Sequence, residues 1–199
     1  MVDDPVSIRP LSTPEDMLLV EDLQRAVWVG NETEIVPVHM LLAVAQGGGV
    51  ILGAFENDRL IGMVFGFLGV DSADPERVAM ARLKHCSHML AVHPSARNQS
   101  VGYRLKLAQR QAVLQLGIRL VTWTYDPLLS LNAYLNIRRL GAVCRIYLRD
   151  AYGQMRDGLN AGLASDRFDV EWWVTSHRVE ARLERRRPPL DLVHFLEGG

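Results

Sequence analysis

The sequence predicts a single α/β (α+β) domain with a mixed central sheet flanked by helices, and three observations lead there. The chain has 199 residues, the size of one ordinary domain. Hydrophobic residues make up 48% and charged residues 23%, which is globular usage and too apolar for disorder. The segments run strand, two helices, a strand meander, then strand–helix–strand–helix–strand–strand. Strands joined through helices in this order need right-handed crossovers onto a shared sheet.

Each element has a local cause. Ser7 to Leu11 reads as an edge strand, because Pro10 removes a ladder donor. Thr13 caps the next helix, Pro14 fits its first turn, and Glu15 and Asp16 sit at the positive end of its dipole. Met17, Val20, Leu23 and Val27 recur at spacings of three and four, and Gly30 closes the helix. A second helix starts at Pro37 and runs to Gly47. The acidic connection from Asn31 to Glu34 is either a solvated link or a cover over a pocket. Val50 to Phe55 and Leu60 to Leu68 are apolar runs separated by Glu56–Arg59, a hairpin signature. His85 to His93 is strand-like and ends at Pro94. Val101 to Leu116 is an amphipathic helix with Leu105, Ala108, Ala112 and Leu116 on one stripe, stopped by Gly117. Leu120 to Tyr125 is a strand, Leu129 to Leu140 a helix closed by Gly141, and Val143 to Leu148 and Phe168 to Val174 are strands. A glycine-rich loop from Gly153 to Gly162 joins the last two. Residues 1–176 form the expected domain and 177–199 a C-terminal arm, whose Arg185-Arg186-Arg187-Pro188-Pro189 run reads as solvated.

Composition excludes several classes. Lys plus Arg total 22 against 23 Asp plus Glu, a formal net charge of −1, so no nucleic-acid partner is expected. The acidic start Met-Val-Asp-Asp is not that of a signal peptide. The longest apolar run, Leu60 to Val70, is too short for a bilayer, so no membrane partner is expected and the location is cytoplasmic. Cys86 and Cys144 show no metal-ligand spacing, and no metal is expected. Both read as small apolar residues rather than nucleophiles.

One segment carries chemistry: Met89 to Leu107, MLAVHPSARNQSVGYRLKL. A strand ends at a proline, and a polar loop with Arg97, Ser100 and Gly102 leads straight into a helix. Loop amides and the free amides of the first helical turn then converge at the positive dipole end, an anion site suited to a pyrophosphate. Gly102 allows close backbone approach. An ordinary strand–helix connection carries the same residue types.

The pattern Arg97-x-x-Ser100-x-Gly102, preceded by Val92-x-Pro94, resembles the acyl-CoA signature of the GNAT N-acetyltransferase superfamily, Gln/Arg-x-x-Gly-x-Gly/Ala. The family's following helix, Asn-x-x-Ala-x-x-x-Tyr-x-x-x-Gly-Phe, aligns with Ser130, Ala133, Ile137, Gly141 and Ala142. The resemblance covers roughly residues 7 to 176. It implies a mostly antiparallel central sheet and a co-substrate, acetyl-CoA or another acyl-CoA. It implies that the backbone of Arg97, Asn98, Gln99, Ser100, Val101, Gly102 and Tyr103 holds the pyrophosphate. Leu90 and Val92 on a splayed fourth strand would pair with pantetheine and supply oxyanion donors. Ser130 and Asn132 would reach the pantetheine arm. The stretch WTYDPLLSLNAYLNIRRLG, with Ser165-Asp166-Arg167-Phe168, also resembles a little-characterised bacterial-type branch. Some members of that branch acylate free amino acids, including with succinyl-CoA.

The implied activity is transfer of an acetyl or succinyl group to a primary amine of a small molecule or amino acid by direct attack. The alternatives are a non-catalytic acyl-CoA-binding domain and a protein N-acetyltransferase; a homodimer is left open. Ser100 stands where the family prefers glycine, and Ile137 where it has the tyrosine that protonates the leaving thiolate. Three residues are catalytic candidates. Asp126, at the end of the fifth strand, is either a base or an Asp-Pro turn residue. His88 titrates in a useful range beside the thioester-binding backbone. Tyr134, about 60° from Ile137 on a 3.6-residue helix, is a substitute acid. Trp172 and Trp173 read as sheet packing, and Arg138-Arg139 as a helix end suited to the dipole.

Overall fold

The computed structural model describes residues 5–29, 32–72, 75–153 and 164–184. A seven-stranded sheet runs through them, from β1 (Val6–Pro10), β2 (Val50–Glu56), β3 (Arg59–Val70) and β4 (Leu83–Val92) to β5 (Leu120–Tyr125), β6 (Val143–Leu148) and β7 (Arg167–Trp173). The spatial order is β1-β2-β3-β4-β5-β7-β6. Only β4 and β5 are parallel; every other neighbouring pair is antiparallel. The expected mixed, mostly antiparallel sheet is what forms.

Helices α1 (Pro14–Val27) and α2 (Val38–Gln46) cover one face, packing Met17, Val20, Leu23 and Leu41 against Ile51, Met63, Phe65 and Ala91. Helix α3 (Val101–Gln115) covers the other, where Val101, Leu105 and Val113 meet Leu52, Val64, Val121 and Trp172. Two closed faces explain why β2 and most of β3 read as unbroken apolar runs. The start of α1 carries the capping box: Thr13 Oγ1 accepts from Asp16 N, and Asp16 accepts from the Ser12 and Thr13 amides. Arg9 Nη2 adds an ion pair to Asp16 at 2.7 Å. Among the described residues no helix is long and apolar enough to cross a membrane.

Three expectations change. Residues 129–140 are not one α-helix: α4 spans Ser130–Ala133 and passes into a π-helical turn, Tyr134–Arg139, closed by Leu140 N donating to Leu135 O and Ala142 N to Asn136 O. Residues 177–183, placed in the C-terminal arm, form α5 (His177–Leu183), which buries Val179 and Ala181. It lies against Gly141 (φ +76°), where a Cβ would come within 3.2 Å of Val179 Cα, and Arg178 Nε donates to the Gly141 carbonyl. Leu116, assigned to the apolar stripe of α3, is exposed; that helix instead buries Lys106 and Gln109 beside Leu105 and Val113. The loop from Gly153 to Gly162 and the arginine run lie outside the described residues, save Gly153.

Candidate active site

A break in sheet register builds the site. Along β3 and β4, Phe65 pairs with Met89 but Gly66 pairs with Ser87, so His88 is an extra residue on β4. One extra residue reverses which face the following side chains take. Before the bulge, His85 and Ser87 face α3 and bond Gln109. After it, Met89 and Ala91 join the α1 face, while Leu90 and Val92 pack on the α3 face. The same kink separates β4 from β5, whose parallel pairing is limited to His85–Val121 and Cys86–Thr122.

Beyond that point the two strands diverge, and β4 has a free edge. His93 N donates to Ile61 O across β3. By strand alternation, the amides and carbonyls of Val92 and Leu90 therefore point away from β3, into the gap. A cleft of about 600 Å³ occupies the gap. Its walls are β4 from Ser87 to Leu90, β5 from Trp123 to Tyr125, Gln24 of α1 and Trp28 just after it, and Asn132 and Asn136 from α4 and the π-turn. Gln24 holds the α1–α2 connection in place, donating to Val36 O and accepting from Val36 N. That connection then contributes Glu34 and Ile35 to the lining, so its second half covers the cleft. Tyr152 closes the far side, sharing a 2.6 Å hydrogen bond with Thr124 Oγ1, with the Arg167 guanidinium 5.3 Å from its ring centroid.

The loop before α3 has a distinctive backbone. Asn98 and Ser100 both adopt left-handed backbone, φ +65° and +60°. Their alternation with Gln99 curls successive amides inward toward the first turn of α3. A left-handed conformation explains why glycine suits the position of Ser100, which carries the conformational cost instead. Arg139, from the end of the π-turn, folds back here. Its Nη1 donates to Ser100 Oγ at 3.2 Å, and its guanidinium stacks 3.7 Å over the Tyr103 ring. Gly102 faces the free edge: a Cβ there would lie 3.6 Å from Leu90 Cδ2 and 3.7 Å from Val92 Cγ2, ordinary contact distances. The protein's own packing therefore does not require glycine, and the space its hydrogen leaves belongs to the loop–strand junction.

Many solved structures superpose on this chain over most of their length; six of them are described as acetyltransferases, and three examples show the fold. The ribosomal-protein-S18-alanine N-acetyltransferase of Escherichia coli superposes with a TM-score of 0.62 at 12% identity, covering 86% of this chain and 95% of that one. NAA60 of Arabidopsis thaliana, in complex with acetyl-CoA, gives 0.65 at 16%, covering 84% and 99%. The PaiA N-acetyltransferase of Thermoplasma acidophilum, in complex with coenzyme A, gives 0.57 at 18%, covering 83% and 97%. The chain has the GNAT acetyltransferase fold. No protein-family model and no curated sequence matches it.

Within this GNAT fold the candidate residues divide. Leu90, Asn132 and His88 line the cleft. Val92, Gly102 and Tyr103 border its loop end, with Arg97, Asn98, Gln99 and Ser100 exposed and Val101 buried under them. Ser130 is exposed at the start of α4. Asp126 and Tyr134 do not line the cleft. The Asp126 carboxylate turns back to accept from Leu128 N at 2.8 Å, the turn role of an Asp-Pro step. Tyr134 is 54% exposed. The wider π-turn advances less per residue than the ~100° of an α-helix, so three positions no longer bring Tyr134 near the face of Ile137.

His88 packs its ring edge-on to Phe65, 5.6 Å between centroids, and 5.9 Å from Phe67, and burial there holds its pKa below the ordinary value. Sequence reasoning missed Ser87, Lys106 and Tyr152 as lining residues, while Glu34 belongs to the connection it offered as a pocket cover. Lys106 and Gln109, three apart on α3, lie off the apolar stripe that the spacing of that helix marks. In the fold Lys106 is 2% exposed, and burial pushes its pKa down to about 7. Trp172 is the packing residue its pattern suggested, edge-on to Trp123 and donating to Leu140 O.

Proposed function

We propose that this protein is an acyl-CoA-dependent N-acyltransferase that moves an acetyl or succinyl group onto a primary amine of a small molecule or amino acid. One observation carries the reading: the bulge at His88 leaves the Leu90 and Val92 backbone unpaired beside the amide-rich turn that opens α3. An extended amide-bearing arm can add to such an edge as a further strand partner. The curled amides from Asn98 to Tyr103, with Arg139 above them, suit a pyrophosphate.

Bound acyl-CoA would supply an activated thioester; the chain's residues bind, orient and shield. The free Leu90 and Val92 amides are donors for an oxyanion at the end of the bulged strand. Glu34, the one carboxylate among the described lining residues, attracts an ammonium to the cleft. His88 lines the cleft with its pKa lowered by burial, so its neutral imidazole offers an acceptor there. Trp28 and Tyr152 add aromatic surface to the lining, which suits a small acceptor. A thiol pKa near 8.5 makes the thiolate a tolerable leaving group, so water suffices as its acid and the absence of tyrosine at Ile137 is accommodated.

The test is thiol release from acetyl-CoA and succinyl-CoA against a panel of amines and amino acids, with calorimetric CoA binding alongside. Amine-dependent thiol release supports the proposal. CoA binding without turnover of any acceptor would make the chain a binding domain, and no CoA binding would overturn both readings.

A further inference from the structure

Helix α3 places at the cleft a lysine that none of the roles above uses. Lys106 Nζ donates to Ser87 Oγ at 2.7 Å and to Gln109 Oε1 at 3.2 Å, and lies 3.8 Å from the centroid of the Trp123 ring. Both hydrogen-bond partners are neutral, and among the described residues no carboxylate pairs with it. Lys106 and Ser87 nonetheless both line the cleft. An ammonium removed from water without a counter-charge is costly, and such a group tends to give up its proton.

The surrounding atoms satisfy either protonation state. With Lys106 charged, Nζ donates to Ser87 Oγ, and the Ser87 hydroxyl donates to Gln109 Oε1 at 3.1 Å. With Lys106 neutral, rotation of that one hydroxyl aims its proton at the Nζ lone pair, while Nζ still donates to Gln109. Gln109 is itself oriented by donating Nε2 to His85 Nε2 at 3.1 Å.

We propose that Lys106, together with Ser87, is the proton acceptor for the substrate ammonium, an assignment that rests on the acyl-transfer reading. The ammonium R–NH3+ gives one proton to the Lys106 lone pair, directly or through the Ser87 hydroxyl. The freed amine lone pair then attacks the thioester carbon. As the C–S bond breaks, the amide nitrogen loses a second proton and the thiolate gains one. Lys106 returns its own proton to water when product leaves.

The groups facing Lys106 leave it free to titrate. Glu34 comes from the α1–α2 connection, His85 and His88 from β4, Tyr125 from β5, and Tyr152 and Arg167 from the far wall. Burial, then the Lys106 charge, pushes His85 down to about 4, and burial lowers His88 and raises Tyr125. All three are neutral where the lysine, near 7, changes state.

The chain has only two lysines, Lys84 and Lys106, so side-chain NMR of lysine-labelled protein without substrate reads them separately. One ε-carbon should titrate near pH 7 and that titration should vanish in Lys106→Gln. Two midpoints above 9 overturn the proposal. In kinetics, Lys106→Gln should lower kcat/KM at least tenfold at pH 8 and remove the acid limb of the profile, with calorimetric CoA affinity kept. A wild-type profile in that variant also overturns it. Should Lys106→Gln not fold, Ser87→Ala, which retains the lysine, should lower kcat/KM at least threefold and shift the Lys106 midpoint; an unchanged midpoint and rate count against the proposal. Failure of wild-type protein to bind CoA sinks the acyl-transfer reading separately, since the NMR titration uses no substrate.

Discussion

Ser87 Oγ lies 2.7 Å from Lys106 Nζ, one residue before the bulged His88. The bulge therefore divides β4 into two halves with different tasks. Its first half presents His85 and Ser87 to the polar side chains of α3, and its second half presents Leu90 and Val92 with their backbone edge free.

Lys106 makes stability depend on pH in a defined sense. Its folded pKa, about 7, lies below the ~10.4 of an unfolded lysine, so between these values the unfolded chain binds more protons. Stability from this group therefore rises with pH across that window. Relative to Lys106→Met, the wild type should gain stability from pH 7 to pH 10, measured by urea midpoints. An identical gap at both pH values would falsify the burial of an unpaired ammonium.

Gly102→Glu should fold normally, because a Cβ there meets only contacts of 3.6 and 3.7 Å. It adds bulk and negative charge at the loop–strand junction. CoA affinity by calorimetry is expected to fall at least tenfold, about 1.4 kcal/mol, with the melting temperature little changed. Retained affinity in the folded variant would remove this junction from the binding site.

Asp126→Asn and Tyr134→Phe test the cleft boundary from outside. An asparagine preserves the turn to Leu128 N, and the phenol of Tyr134 stands apart from the cleft. Each variant should keep kcat within about twofold of wild type. A tenfold loss in Tyr134→Phe, in the range of general acid catalysis, would bring that hydroxyl back into the reaction.

Asp16 links the first strand to the first helix. Its carboxylate is held below the usual range by the Arg9 hydrogen bond, against the opposing effect of burial and with help from the Ser12 and Thr13 amides. A depressed carboxylate stabilises above its unfolded pKa of ~3.9, and that contribution is lost as pH falls through the folded value. Asp16→Asn should cost about 1 kcal/mol at pH 7, and the difference should shrink toward pH 3 in urea titrations. A constant difference would assign the loss to packing.

Gly66 is the close-packing point of the bulge. A Cβ there would overlap the His85 imidazole and stand 2.6 Å from the Cys86 carbonyl. Gly66→Ala should destabilise by about 1–3 kcal/mol. Gly66→Ala with His85→Ala should recover only part of this, because the carbonyl cannot move aside; full recovery would mean the imidazole alone sets the constraint.

By itself the sequence determined the order of elements and much of their extent. The strands at 120–125 and 143–148, the cap at Thr13 and the stop at Gly141 follow from periodicity, cap chemistry and backbone freedom within a few residues. The loop from Arg97 to Gly102 was legible as a polar turn into a helix, because free helix amides are a local property, whereas its left-handed positions at Asn98 and Ser100 came from the structure. The tertiary structure alone decided the rest. Whether His88 pairs or bulges depends on the register between β3 and β4, set by packing more than twenty residues apart along the chain. The π-turn from Tyr134 to Arg139 turns that segment away from the face its spacing implied, and its far end is tied down by Trp172 and α5. Lys106 reads as a surface lysine in its helix, and only the splay of β4 from β5 makes its surroundings a buried cleft wall.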